Sequence, residues 1–414
     1  MKSLVAFLLL LCIIPDSFAN TIGDAISEAK NGNRNIKLEK LRAKAVRSKK
    51  REAIAEFLPS VKVKASYGQR RSHYNGNQND PSLRQSSREL VVEQPIFDGF
   101  HSVSKYREAN YQLKSANLKA LDKVQEISFV AAQVYCELYR YEKVSNLQEE
   151  NFKLAQKFLS LAKRRKYFRI IDKADIIQFQ FEASINEEKS LDAKTRLNKA
   201  RIDYINVVGK LDGDLIKPHI PKENFSEDKI VSDVLRGNKS VESSRNSYIA
   251  SKYAYSAERS NLSPKVYLTG TMDKQESVIY LNNRDLTNRS LFLNLSVPLF
   301  NKGIEYSNIA KARYEKQAAL EEYEIAKDDL TKEASRALSE YKFYSDINKS
   351  NKKLLKMAKK RSNIFYKRKQ ARVEDPIEVI KVKIDQNDRE IKLINSEMDL
   401  AITYYKIKYL SGQL

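Results

Sequence analysis

EQPIFDGF at residues 93–100 returns as SVPLFNKG at residues 296–303. Each copy closes an alternating, strand-like run with a proline, an apolar residue and Phe, then sets a glycine at the mouth of a long helical stretch. Proline is tolerated where a strand ends, because it has no N–H to give the ladder, so Pro95 and Pro298 are expected where a sheet stops. Gly99 and Gly303 follow where the chain must turn sharply, and a residue without Cβ gives room for that. The motif reads as a strand-to-helix junction, and its recurrence points to a duplicated chain.

The duplication extends in both directions. At an offset of 203 residues Pro95 matches Pro298, Phe97 matches Phe300, Ala109 matches Ala312, Tyr111 matches Tyr314 and Tyr141 matches Tyr344. Upstream the offset is 205: Gly32-Asn33 matches Gly237-Asn238, Ala45 matches Ala250, Pro59 matches Pro264 and Val61 matches Val266. The change of two falls in a polar loop, where length is free to vary. Each half is expected to run short helix, long helix, strand, loop, strand, long helical pair. Repeat 1 then covers 20–209 and repeat 2 covers 227–414, with a linker at 210–226 (LDGDLIKPHIPKENFSE).

Between Phe100 and Val208, and again between Ile304 and Asp375, there is neither proline nor glycine. Ordinary helices run about 11–12 residues, so these stretches predict long helices or helical hairpins. Val124, Ile127, Ala131, Val134, Leu138 and Tyr141 fall at coiled-coil spacing. A second seam, Leu121, Val124, Ser128, Ala131, Tyr135 and Leu138, adjoins the first and suits a helix with neighbours on both sides. A helix from Phe100 to Arg165 would measure about 100 Å, so the sequence predicts something elongated.

Strand signals sit between the helices, at about 60–70 and 86–95 in repeat 1 and about 264–273 and 289–298 in repeat 2. Val61, Val63, Ala65 and Tyr67 alternate with Lys62, Lys64 and Ser66, and Leu291, Leu293, Leu295 and Val297 alternate up to Pro298. Polar loops are expected near 71–80 and 274–285. Strands of about ten residues with one apolar face fit a tilted bilayer crossing and equally a soluble hairpin with one buried face. Four strands, however, leave open edges that lipid does not tolerate, and the smallest membrane barrels have eight. A barrel would therefore need more than one chain.

The first residues read as a secretory signal over 1–19: Lys2, an apolar run from Leu4 to Ile14, and Ser17-Phe18-Ala19 as a small-x-small cleavage site. Leu11 stands where a lipid-attachment motif around Cys12 would have a small residue, which argues against lipidation. Cleavage leaves Cys136 alone, so no internal disulfide is expected. No later stretch approaches a membrane-spanning helix. Among 414 residues, 75 Lys and Arg face 53 Asp and Glu, a net charge of +22. Such basicity raises nucleic acid or anionic membrane as partners. The densest run, Lys163 to Lys166, is only four residues long, so the charge reads as a solvated helix surface, and an exported chain has little access to nucleic acid. An enzyme is not expected: His73, His101 and His219 lack metal-ligand spacing, and no G-x-S-x-G or phosphate-binding loop is present. No catalytic, cofactor or metal residues are assigned.

The order of elements, the duplication, LPSV at 58–61, QPIFDGF at 94–100 and VPLFNKG at 297–303 together resemble the TolC family of outer-membrane efflux proteins, across essentially the whole mature chain. The resemblance implies a mainly α fold with a small β part. Duplicated helical hairpins would build a tunnel in the periplasm, and four strands per chain would enter one barrel shared by a homotrimer in the outer membrane. It also implies a periplasmic adaptor and an inner-membrane transporter as partners, with passive export of drugs, small molecules or proteins.

The family's gate lies in the helix-to-helix turns, where its usual pattern resembles R-F-x-x-G-x-x-x-x-x-D-V. RKYFRIIDKADI at 165–176 supplies Asp175-Ile176 at the Asp-Val pair and Arg169 in place of the glycine. YKRKQARVEDPIEV at 366–379 supplies Glu378-Val379, with Pro376 an unfamiliar start and Lys381 where the family can carry another acid. Rings of Asp175 and Glu378 would attract cations, or with Arg169, Arg372 and Lys381 they would pair to hold the end closed. Alternatively both acids simply favour a helix N-terminus. The main rival to a channel is a soluble periplasmic coiled-coil scaffold or adaptor, which accounts for the helices and the charge but not for matched strands at two equivalent junctions.

Overall fold

The computed structural model describes residues 21–414 apart from 72–81, 169, 212, 222, 224 and 280–281. The expected signal segment, Cys12, His73 and Arg169 lie outside the described residues. Twelve elements follow in chain order among the described residues: α1 (Ile22–Gly32), α2 (Arg34–Ala55), β1 (Ser60–Arg71), β2 (Ser82–Phe97), α3 (His101–Tyr167), α4 (Lys173–Val208), α5 (Glu227–Gly237), α6 (Lys239–Ser260), β3 (Lys265–Ile279), β4 (Asn282–Ser296), α7 (Ile304–Gln370) and α8 (Pro376–Leu410). The chain is mainly helical with one four-stranded sheet. Matching helices have 11 and 11, 22 and 22, 67 and 67, and 36 and 35 residues.

The compact units do not coincide with the repeats. One unit takes residues up to Ile36, Lys123–Asn238 and Leu330–Leu414; the other takes Lys37–Asp122 and Lys239–Asp329. Each draws on both halves of the sequence, so equivalent segments pack together rather than each repeat folding by itself.

The second unit holds the sheet. Its strands are all antiparallel, in the order β1-β2-β3-β4, which leaves β1 and β4 as edges. Register lines up Val61, Val92, Gly270 and Leu291 on one face, with Val63, Leu90 and Met272 in the next row and Leu268 with Leu293 below. This apolar face is open: Val61, Val63, Leu90, Met272, Leu291, Leu293 and Leu295 are all exposed. The opposite face is tied by polar pairs, among them Lys64 to Glu89 (3.2 Å), Ser66 with Ser87 (2.7 Å) and Asn294 donating to Thr269 (2.9 Å).

The strands run further than alternation indicates. The loop expected at 274–285 is mostly ladder, with Lys274 opposite Thr287 and Glu276 opposite Asp285. Polar side chains such as these carry a ladder as readily as apolar ones, because its bonds come from the backbone. Pro95 is not the end of β2 either. The strand continues to Phe97 through an irregularity between Pro95 and Phe97, and β1 pairing has already stopped at Glu93, so the missing N–H leaves no β1 partner unmet. In the second copy β4 ends at Ser296, two residues before Pro298.

The junctions themselves differ. Gly99 and Phe100 both have left-handed backbones (φ 71° and 67°), whereas Lys302 and Gly303 take that role in repeat 2 (54° and 77°). A Cβ on Gly99 would sit 2.3 Å from Ser263 Cβ and 3.0 Å from the Ser260 carbonyl oxygen, while one on Gly303 meets nothing within 4 Å. His101, on the next turn, holds the Ala257 carbonyl through Nδ1 at 3.0 Å. Gly303→Ala is therefore expected to cost only its backbone strain, about 1–2 kcal/mol. Gly99→Ala adds a steric clash and should lower the melting temperature in detergent clearly further. Equal shifts would mean the Ser263 contact yields freely.

In the first unit α3 packs on two sides. Ile127, Ala131, Val134, Tyr135 and Leu138 join Ala25 and Ala29 of α1 and Ala200, Tyr204 and Val208 of α4 in one core. Tyr135 is buried there and donates its hydroxyl to the Ile216 carbonyl at 2.7 Å. On its other side Cys136 packs against Met398 and Ala401 of α8. Burial pushes the Cys136 thiol up to about 12, so it is an inert core residue. Leu121 of the second seam is instead 52% exposed.

Candidate gate at the helix ends

Two turns join the long helices within the first unit, α3 to α4 and α7 to α8. Asp172 caps α4 and forms a reciprocal capping box with Asp175: the Asp175 N–H donates to Asp172 Oδ1 at 2.8 Å, and the Asp172 N–H donates to Asp175 Oδ2 at 3.3 Å. Asp175 thus satisfies its own helix start and has no ion pair to another element among the described residues. Glu378 sits in the first turn of α8 and pairs with Lys381 one turn on, at 3.1 Å, both nearly half exposed. Lys381 also stands over the rings of Phe158 and Phe179, at 5.6 and 5.9 Å from their centroids, a cation–π arrangement.

Arg372 occupies the position where a helix end usually has glycine. Its backbone is left-handed (φ 57°) and exposed, and the Val373 N–H reaches back to the Arg368 carbonyl at 3.0 Å, the long bond of a Schellman end. In the first turn the equivalent bond runs from the Ile170 N–H to the Arg165 carbonyl, also 3.0 Å.

The contact that ties the two turns together involves residues the sequence did not single out. Arg165, in the last turn of α3, donates two parallel bonds to Asp375, the N-cap of α8, at 2.6 and 2.7 Å. Asp375 also accepts from its own Ile377 N–H at 2.8 Å. The Arg165 guanidinium holds the Asp375 carboxyl below the usual carboxylate range, against an opposing push from burial. Behind the pair, Phe158 of α3, Phe179 of α4, and Ile377, Ile380 and Ile384 of α8 make one apolar cluster, with the two Phe rings edge to face at 4.5 Å. The reciprocal pair is absent among the described residues: Arg368, which matches Arg165, turns to Glu374 at 3.4 Å. Asp172 and Asp375 match at the repeat offset, which is the one signal that could have pointed to Asp375.

A second feature missed in the sequence is where the charge lies. Residues 349–373 contain eleven Lys and Arg and no acid, and residues 152–171 contain seven and no acid. The remaining 369 residues carry 57 basic and 53 acidic side chains. The longest unbroken run did not reveal this, because stretches of two to five uncharged residues, such as Leu354-Leu355 and Ser362 to Tyr366, interrupt these segments.

Comparisons with known proteins agree with this arrangement. The family model described as outer membrane efflux protein matches residues 25–167 and 230–412. Among solved structures, a membrane protein from Pseudomonas aeruginosa superposes with a TM-score of 0.80 at 15% identity, covering 94% of this chain and 90% of its own. The outer membrane protein VceC from Vibrio cholerae gives 0.78 at 14% identity over 94% and 96%. The Campylobacter jejuni CmeC outer membrane channel gives 0.77 at 13% identity over 95% and 85%. No curated protein sequence matches the chain.

Proposed function

Because the chain belongs to the outer membrane efflux protein family, we propose that it is the exit duct of a tripartite efflux pump or type I secretion system. In this reading it is a homotrimer in the outer membrane, its tunnel reaches into the periplasm, and a periplasmic adaptor and an inner-membrane transporter supply contact and energy. It is not an enzyme. The observation that carries the reading is the sheet, whose edges β1 and β4 are open while its apolar face lies exposed. In lipid such edges must be closed. Joining β4 of one copy to β1 of the next gives eight strands with two copies and twelve with three.

The helices support the same assembly. On α4, Ile177, Phe181, Leu191, Ile202 and Ile205 are exposed at seam spacing, and residues 174–188 hold four acids and no base. On α7, Leu354, Met357 and Ile364 are exposed at seam spacing within the basic segment 349–373, and Phe343 and Ile347 precede it. An acidic seam and a basic seam on one chain suit a head-to-tail contact between copies, the kind that closes a ring.

The test is bilayer conductance of the purified mature protein with Leu293→Arg alongside. Discrete steps are expected from the unsubstituted protein. Arg on the lipid face near the midplane costs about 2–4 kcal/mol, so the variant should insert poorly. A soluble monomer indifferent to the substitution would favour the periplasmic scaffold instead.

A further inference from the structure

We propose that Arg88, Lys274 and Arg289 form a cationic collar on the lipid-facing side of the sheet that binds the phosphate groups of outer-leaflet lipid headgroups. The proposal rests on the duct reading, because it needs the sheet in the outer membrane with the helices on its periplasmic side. All four strands meet helices at one end: β1 follows α2, β2 leads to α3, β3 follows α6 and β4 leads to α7. The opposite end, where β1 returns as β2 and β3 as β4, therefore faces away from the cell.

Three neighbouring strands change character at one level of the apolar face. On β2, Val92 and Leu90 give way to Arg88; on β3, Leu268 and Met272 give way to Lys274. On β4, Leu295, Leu293 and Leu291 give way to Arg289. Register sets Arg88 opposite Lys274, and Arg289 opposite Met272 one row nearer the helices, so the three positions adjoin. On β1 the same face runs from Val63 through Ala65, which pairs with Arg88, to Tyr67, which is 81% exposed. Tyrosine favours the membrane interface, where its ring sits at headgroup level. The collar thus marks the outer border of the apolar band.

Two of the three cations lack an anion. Lys274 is engaged by Glu276 at 2.9 Å, and Glu276 also accepts from the Ser86 hydroxyl at 3.4 Å. Glu276 lies one row beyond the collar, with Asp285 opposite it in register. Arg88 and Arg289 are exposed and make no ion pair among the described residues. Arginine is costly at the bilayer midplane but not at its edge, where its stem lies on apolar surface and its guanidinium reaches the headgroups. That planar fork matches phosphate with two parallel bonds. A phosphate carried on a lipid also brings acyl chains, which cover the exposed Leu90, Met272 and Leu291 beneath the collar. Inorganic phosphate would use the arginines alone.

The test is native mass spectrometry of the full-length protein in detergent, titrated with bisphosphorylated lipid A and with its dephosphorylated form. A chelator is present throughout, so that no divalent ion bridges phosphate to the acids of this end. Lipid A should stay bound and the dephosphorylated form should be lost readily. Arg88→Gln with Arg289→Gln should weaken retention of lipid A about twentyfold, roughly fivefold for each arginine beside a charged lipid surface. Lys62→Gln with Lys64→Gln, the same charge change on the opposite face of β1, should leave it within about twofold. Equal retention of the two lipids, or equal loss in both double variants, overturns the proposal. Displacement of lipid A by inorganic phosphate at equal concentration overturns it in favour of a free-phosphate site. Conductance is recorded on every preparation. Channels that conduct but ignore the lipid phosphate overturn this proposal alone, whereas protein that forms no channels overturns the duct reading with it.

Discussion

Asp375→Asn is expected to raise the open fraction of single channels at neutral pH by about a hundredfold, with little loss of fold. The substitution keeps the N-cap acceptor for the Ile377 N–H but removes the charge that pairs bidentately with Arg165. Both side chains are about a third exposed, 31% and 37%, so solvent screens the pair and about 1 kcal/mol is a fair value for it. That alone shifts an equilibrium about fivefold. In a ring of three copies that open together the effect would be about 3 kcal/mol, provided the sites add, which gives the hundredfold figure. Arg165→Ala should do the same, and the double variant should add little to either. Asp175→Ala loses one capping interaction of about 1 kcal/mol inside α4, and Glu378→Ala loses an exposed pair of a few tenths. Neither breaks a contact between turns, so both should conduct almost as the unsubstituted protein does. If Asp175→Ala opens the channel and Asp375→Asn does not, the cross-turn pair is not what holds it.

The same pair fixes the pH response. The Asp375 carboxyl is held below its ordinary value, so its contribution is present above the unfolded pKa and lost as pH falls through the lower folded one. Acidification to pH 5 should leave the closed state intact, and opening should begin only at or below the usual carboxylate range near 4. Recording conductance from pH 7 to pH 3 tests the sign: opening that starts at pH 6 would point to another group.

The parts of this architecture that were legible in the sequence are those carried by local chemistry. Two stretches without proline or glycine announced α3 and α7, because nothing in them interrupts a helix, and the repeat offset fixed the order of elements. The length of the strands was harder to read. Alternation reports a face that meets lipid or core, and from Asp273 to Ser277 both faces of β3 are polar while the backbone ladder continues. The seam on α3 was visible as a pattern, but which neighbour covers which residue is set by chain segments far away. Cys136 meets α8 about 260 residues later, whereas Leu121, equally apolar, is left largely exposed. At the candidate gate, the first-turn acids Asp175 and Glu378 were conspicuous because they sit in a recognisable turn, yet among the described residues each binds only at its own helix start. Arg165 and Asp375 lie 210 residues apart, and no local rule couples them.

Duplication also misleads where the two copies have come to do different things, and Gly237→Ala should show this with a fall in melting temperature of about 6–12 °C. Gly237 ends α5 as Gly32 ends α1, and the two match at the repeat offset. A Cβ on Gly237 would stand 2.0 Å from the Ser411 carbonyl oxygen and 3.0 Å from its carbon, whereas one on Gly32 meets nothing within 4 Å. The obstruction is backbone, so it cannot be relieved by a side-chain rotation, and overpacking of this kind costs about 3 kcal/mol or more. For a unit of this size each kcal/mol is worth about 2–4 °C. The Asn238 side chain next door donates to the Leu410 carbonyl at 3.1 Å, and Leu414 N–H donates to Gln125 Oε1 at 2.8 Å, so the C-terminal turn is pinned against α5 and α3. Gly412 completes the fit from the other side: its backbone is left-handed (φ 68°), and a Cβ there would stand 2.3 Å from the Gly237 carbonyl oxygen. Gly32→Ala meets no such wall and should gain up to about 1 kcal/mol of helix propensity, raising the melting temperature slightly. Opposite signs at two positions the repeat makes equivalent would show that the seat of the C-terminus, present once per chain, is what the second glycine serves; equal shifts would deny it that role.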